Sequence, residues 1–341
     1  MELTGQSPRH AAVSRGLFLL VNTYCDIACS YCFYTTDHEA RDDDILTVAT
    51  AELVDRLRTF HFGSVILSGG DPLNRASKAA TIPLVRDLIN SGLRVIINTS
   101  AAFLTDDDCQ NLAEARPTRV DISIDSVNAR VHNLLRGRHT DTVAAIRKLV
   151  ALGVPVQTTT VVTGANVDHV AETVSALEQQ GVTRATIQPA FLPATLPDTS
   201  FGRRADALRL TVTDELRAWL RQRAASAPDP DAAEAYHALW DQHWGTGELH
   251  TSLTPFCVMG KTLYVCAADG SLTGCFHRPD VELGNLFTSD ADMLEVALRT
   301  NELTRHALPS CAGPHCVSLF EGPRAWRRAD HEEASVAAQH L

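Results

Sequence analysis

Asn22-Thr23-Tyr24-Cys25-Asp26-Ile27-Ala28-Cys29-Ser30-Tyr31-Cys32-Phe33 holds three cysteines in the spacing C-x3-C-x2-C. Three thiolates at this spacing can wrap one corner of a [4Fe–4S] cube and leave one iron without a protein ligand. An iron with an open position binds a substrate or cofactor, whereas a fully ligated cluster only stores or passes electrons. On spacing alone a zinc knuckle with a fourth ligand from elsewhere is the competing reading.

Apolar residues before and after this loop show how it is carried. The run GLFLLVN at 16–22 reads as a buried strand, and the cysteines follow at its C-terminal end. Beyond it, helical periodicity at 47–60 leads to a strand at 65–68, broken by Gly69-Gly70. Helix is expected at 82–91, 106–115, 140–152 and 167–180, with Gly92, Gly153 and Gly181 as stop signals. Strands are expected at 93–98, 119–124, 156–162 and 184–189. Single apolar strands alternating with amphipathic helices predict a parallel sheet. Chemistry then belongs at the C-terminal strand ends.

The chain has 341 residues, 45% of them apolar, enough for one large α/β barrel or two smaller domains. The formal charge of −11 and the lack of a basic run predict no nucleic-acid binding. No run is long enough to span a membrane and no signal peptide is evident, so no membrane association is expected. Nine cysteines, grouped rather than evenly spread, suit metal ligation in a reducing cytoplasm better than a disulfide framework.

The cysteine loop resembles that of the radical SAM superfamily, and three further motifs resemble the same family in the same order. Gly69-Gly70-Asp71-Pro72 resembles its G-G-E-P motif, with Asp71 where Glu is usual. Val120–Ser126 resembles its S-x-D strand, and His132–Gly137 (HNLLRG) also looks like family sequence. The resemblance implies a partial (β/α)6 barrel over 16–190, one [4Fe–4S] cluster on Cys25, Cys29 and Cys32, and S-adenosylmethionine on the open iron. Tyr31 is implied at the adenine. Gly69 and Gly70 would let the backbone approach the methionyl amine, with the Asp71 carboxylate accepting from it. Ser123 and Asp125 would face one side of their strand and meet the ribose or methionyl group, and Arg136 would meet the cofactor carboxylate. Asn98 and Thr99 would line the pocket.

Residues 191–254 read as a helical connector. Residues 255–322 carry Cys257, Cys266, Cys275, Cys311 and Cys316, with a turn at Asp269-Gly270. Cys257, Gly270 and Cys275 give C-x12-G-x4-C, which resembles the opening of SPASM and Twitch domains. The resemblance implies a small cysteine-rich Twitch/SPASM-like domain and a second [4Fe–4S] cluster on Cys257, Cys275, Cys311 and Cys316. Cys266 and Cys109 read as buried small side chains.

An enzyme so built would be a radical SAM oxidoreductase, a dehydrogenase. It would take a hydrogen atom from a sugar, aminocyclitol or similar natural-product intermediate, as in antibiotic biosynthesis. The auxiliary cluster would accept an electron, and a flavodoxin or ferredoxin type donor would supply reducing power. The alternative is maturation of a ribosomally made peptide. The short lead-in before the first strand and the incomplete SPASM cysteine set weigh against that alternative.

Overall fold

The structure, a computed structural model, describes residues 15–32, 45–190, 212–227, 230, 259–276 and 281–304. Its first strand, β1 (Arg15–Asn22), is buried along nearly its whole length. A strand covered on both faces has no polar alternation, which is why GLFLLVN reads as one apolar run.

β1 is followed by α1 (Thr50–Thr59), β2 (Phe62–Gly69), α2 (Lys78–Asn90), β3 (Arg94–Thr99), α3 (Asp106–Ala115) and β4 (Arg119–Ser123). Then come α4 (Ala129–Leu135), α5 (His139–Ala151), β5 (Val156–Val162), α6 (Val170–Gln179) and β6 (Arg184–Pro189). The strands β1 to β6 pair in sequence order, each parallel to the next. This is the α/β parallel sheet the alternation predicted. Gly92, Gly153 and Gly181 do end helices, each with a left-handed φ of 83°, 76° and 87°.

Two expectations shift. α2 starts at Lys78, one turn ahead of the expected 82, because it winds from Ser77, whose carbonyl accepts from Ala80 and Thr81. Pro83 lies inside it rather than at its start. The short α4 was read as family sequence and not as a helix. Asn128 caps it, its side-chain oxygen accepting from the Arg130 and Val131 amides.

After β6 the described chain resumes with α7 (Asp214–Ala225), then β7 (Leu263–Cys266), β8 (Ser271–Thr273), β9 (Glu282–Asn285) and α8 (Ala291–Thr304). The turn at Asp269-Gly270 joins β7 to β8 as an antiparallel hairpin, with Gly270 at φ 87°. The hairpin does not stand apart from the barrel. β7 lies parallel to β1, with Gly16 opposite Leu263 and Leu19 opposite Cys266. The sheet order is β6-β5-β4-β3-β2-β1-β7-β8-β9, so β1 is an interior strand.

Packing follows the sheet. Met259, Tyr264, Val265, Leu272, Leu286, Leu294 and Leu298 belong to the same buried cluster as Leu17, Leu19, Val65 and Ile97. The C-terminal strands therefore take their apolar cover from the main core and do not depend on a metal cross-link for it. Arg15 fastens this junction. Its guanidinium donates to Glu295 at 2.7 Å and to Glu302 at 2.8 Å, both on α8. Arg56 on α1 adds bonds to the Leu286 and Ser289 carbonyls. Among the described residues no helix is long and apolar enough to cross a membrane.

Candidate active site

Cys25, Cys29 and Cys32 lie on the loop leaving the C-terminal end of β1, each partly buried. The loop after β2 holds it. The Gly70 amide donates to the Asn22 carbonyl at 3.1 Å, and the Asp71 amide to the Tyr24 carbonyl at 2.9 Å. Asn74 Nδ2 donates to the same Tyr24 carbonyl, and the Arg75 amide to Asp26 Oδ2. On the far side the Ser30 amide donates to the Leu135 carbonyl at the end of α4.

The glycine pair has a use within the fold itself. A Cβ on Gly70 would stand 1.9 Å from the Tyr24 carbonyl oxygen, and one on Gly69 2.3 Å from the Asn22 carbonyl oxygen. The glycines let the cysteine loop approach the end of β2.

Asp71 is held by the protein on several sides. It is buried, and its carboxylate accepts from the Leu73 amide, the Thr99 hydroxyl, and the amide and hydroxyl of Ser100. The carboxylate thus ties the ends of β2 and β3 together. Thr99, expected to line the pocket, is occupied by Asp71 and by the Ala101 amide. Asn98 differs: its Oδ1 is buried with no partner, as is Ser30 Oγ in the cysteine loop. Unpaired buried polar atoms are costly.

Across the site, Asp125 is fully enclosed. Its Oδ2 accepts from Tyr31 Oη at 2.6 Å and Arg136 Nε at 2.9 Å, and its Oδ1 from the Val161 amide at 3.1 Å. Asn166 Nδ2 donates to its carbonyl. Tyr31, Asp125 and Arg136, the residues that the resemblance gives to the cofactor, also meet one another. Arg136 Nη1 also approaches Cys29 Sγ at 3.5 Å, and its guanidinium lies 5.2 Å from the centre of the Tyr31 ring. Ser123, the last residue of β4, is half-buried.

Charge follows from this geometry. Burial alone would lower the Arg136 pKa, but Asp125, Tyr31 and Cys29 hold it well above its ordinary value. Burial pushes the Cys25 thiol up to about 12. It pushes Cys29 up to about 11, against the pull of Arg136. Both thiols are protonated at neutral pH until a metal displaces the protons.

The donor set bears on what that metal is. Among the described residues no three His, Cys, Asp or Glu side chains converge closely enough for a single ion. The nearby carboxylates of Asp71 and Asp125 are already engaged, leaving three thiols on one loop. An all-sulfur set suits an iron–sulfur cluster.

The Radical SAM superfamily model matches residues 19–177. This segment is a radical SAM domain. It runs from the second half of β1 through most of α6 and contains every residue of the site just described. Within curated proteins, the chain is 27% identical over 160 residues to an AdoMet-dependent heme synthase of Methanosarcina barkeri, covering 46% of this chain and 45% of that protein. It is 24% identical over 187 residues to a probable GTP 3′,8-cyclase of Methanococcus aeolicus, covering 54% and 62%. The chain thus matches only about half the length of these relatives.

Solved structures agree on the fold. Streptococcus suis SuiB bound to S-adenosylmethionine superposes with a TM-score of 0.61 at 15% identity, over 89% of this chain and 73% of that one. Native anSMEcpe with bound AdoMet and Kp18Cys peptide gives 0.60 at 14% identity, over 96% and 99%. A radical SAM domain implies S-adenosylmethionine and a [4Fe–4S] cluster as its cofactors, and the three-thiol loop fits that cluster.

Of the second cysteine set, Cys257, Cys311 and Cys316 lie outside the described residues. Cys275 is buried in the shared core beside the hairpin. Cys266 and Cys109 are buried, as small core side chains should be. Sequence reading missed Asn22, Asn74 and Ser100. Asn22 Nδ2 bridges the Asp71 carbonyl and Ser77 Oγ, while its Oδ1 accepts from the Gly70 amide. Its place as the last residue before the cysteine loop was the only available signal.

Proposed function

We propose that this protein is a radical SAM enzyme acting on a small organic substrate, with Cys25, Cys29 and Cys32 as ligands of the catalytic cluster. One observation carries the reading. The only three closely spaced thiols of the described residues stand at the C-terminal end of a central parallel strand, inside a radical SAM domain. Cys25, Cys29 and Cys32 would hold the cluster, which would supply one-electron reduction of bound S-adenosylmethionine and so hydrogen-atom abstraction from the substrate.

The protein's own groups have distinct parts. Gly69 and Gly70 seat the cysteine loop, and Asp71 locks the strand ends beneath it. Asn98 Oδ1 and Ser30 Oγ, buried and unpaired, are candidates to bind the cofactor, together with Ser123 and the backbone of residues 69–71. Tyr31, Asp125 and Arg136 fix the opposite wall. Cys257, Cys275, Cys311 and Cys316 make the proposed auxiliary cluster of a Twitch-type segment. Full thiolate ligation leaves it no open iron, which suits acceptance of a substrate electron and an oxidised product.

The small-molecule reading is supported by the sequence relatives, which are named for heme synthesis and GTP cyclisation. A peptide substrate is the second reading. It is favoured by fold likeness along 82% and 96% of this chain to structures that hold the peptides SuiA and Kp18Cys. The test of the shared claim is anaerobic reconstitution, reduction with dithionite and addition of S-adenosylmethionine. Formation of 5′-deoxyadenosine is expected. Iron-loaded, reduced protein that binds the cofactor and never cleaves it would defeat the proposal.

A further inference from the structure

Arg136 directly follows α4, and its guanidinium is held on three sides. Nε is bound to Asp125, the Tyr31 ring lies against it, and Nη1 reaches Cys29 Sγ at 3.5 Å. Asp125 is itself immobilised by Tyr31 Oη and the Val161 amide. Tyr31 belongs to the same loop as Cys29, so the loop and the guanidinium brace each other. The arrangement is a planar fork with one prong on a buried carboxylate and another on sulfur. A lysine cannot reproduce it.

Family resemblance gives Arg136 to the cofactor carboxylate, but two of its three nitrogens already have protein partners. Hydrogen bonds to cluster sulfurs raise the reduction potential, because they stabilise the extra negative charge of the reduced state. We propose that Arg136 donates a hydrogen bond to the Cys29 thiolate and sets the reduction potential of the cluster at Cys25, Cys29 and Cys32. Asp125 and Tyr31 serve as its positioning residues. This inference rests on the cluster reading of that loop. In the step concerned, the oxidised cluster takes one electron from an external donor, dithionite in the assay. No bond breaks, and the proton stays on the Arg136 nitrogen.

The test uses full-length protein, anaerobically reconstituted, with potentials followed by electron paramagnetic resonance in the absence of S-adenosylmethionine. In Arg136→Met the reduction equilibrium should move at least tenfold toward the oxidised form, about 59 mV lower for a one-electron couple. Arg136→Lys, which keeps the charge but not the fork, should move at least threefold in the same direction. Cofactor affinity, measured separately, should change less than threefold in Arg136→Lys. An unshifted potential in Arg136→Met, with cofactor affinity reduced tenfold, makes Arg136 a cofactor ligand and overturns the inference alone. Should Arg136→Met hold no iron, the potential of Arg136→Lys decides by the same criterion. Wild-type protein that takes up no iron at this loop removes the cluster reading and this inference together.

Discussion

Gly70 and Tyr24 are in backbone contact so close that a methyl group on Gly70 would stand 1.9 Å from the Tyr24 carbonyl oxygen. The first loop of the site can take its shape only because the second has no side chain at that point. Gly70→Ala must push the cysteine loop off the end of β2. A destabilisation of about 1–3 kcal/mol is expected from overpacking. Iron uptake at the loop should fall by more than the stability does. Thermal unfolding and iron analysis measure the two, and a variant with wild-type iron content would contradict the packing argument.

Iron counts test the two cysteine sets together. Wild-type protein should approach about eight irons per chain and the Cys25, Cys29, Cys32 triple alanine variant about four, since each cluster carries four. The triple variant should form no 5′-deoxyadenosine. A variant emptied of all iron, or one holding zinc at the C-terminal cysteines, would remove the electron-acceptor role.

Arg15 should matter to stability although it lies far from the chemistry. It is buried, and its guanidinium meets Glu295 and Glu302 across the junction of β1 and α8. Arg15→Met removes the buried cation shared by two partly exposed carboxylates, leaving Glu295 with Arg299 and Glu302 with the Tyr264 hydroxyl. The expected cost is about 2 kcal/mol, below the range for fully buried pairs because water reaches both glutamates. Denaturant unfolding gives the value, and a change under about 0.5 kcal/mol would show the pair to be incidental.

His132 supplies a pH dependence. Its Nδ1 accepts from the Asp125 amide at 3.2 Å, and burial lowers its pKa from 6.5 to about 4. The folded state thus keeps the imidazole neutral where the unfolded chain binds a proton. Its contribution is fully present above pH 6.5 and is lost as pH falls toward 4. The full loss is roughly 3 kcal/mol. His132→Asn, which keeps an acceptor but cannot titrate, should flatten that part of the stability–pH curve. An equal slope in wild type and variant would assign the effect to other groups.

Reaction outcome can be read from hydrogen isotopes. An oxidative reaction forms product and 5′-deoxyadenosine in equal amounts, and the product is lighter by two hydrogens. In deuterated water no new carbon-bound deuterium should appear. Its appearance without the mass loss would indicate return of a hydrogen atom, as in an epimerase.

The sequence shows some of this arrangement plainly and hides the rest for physical reasons. Strands and helices of the barrel are local patterns, and runs such as Val156–Val162 and Asp106–Ala115 coincide with their expected bounds. The cysteine spacing is equally local. Side-chain direction in loops has no period, so nothing marked the Asp71 carboxylate as turned toward Thr99 and Ser100. Nor did composition show that Arg136 would reach Cys29, 107 positions away. The hairpin at Gly270 was legible from its turn, but its alignment with β1 was not. Pairing between Gly16 and Leu263 leaves no trace in either segment.

That pairing has a consequence for biosynthesis. Of the described strands, β1 is synthesised first and β7 only after β2 to β6. Until β7 is made, β2 is the one described strand that β1 can pair with, and the edge that β7 later covers presents amides and carbonyls not matched by another described strand. Leu17 and Leu19 lie on that edge strand, apolar and accessible for most of translation. The nascent barrel therefore carries a sticky margin that only the finished chain can close, and its long-range contacts make closure slow. Truncation before residue 263 would leave the margin open permanently, and aggregation of such fragments during expression follows from the strand order alone.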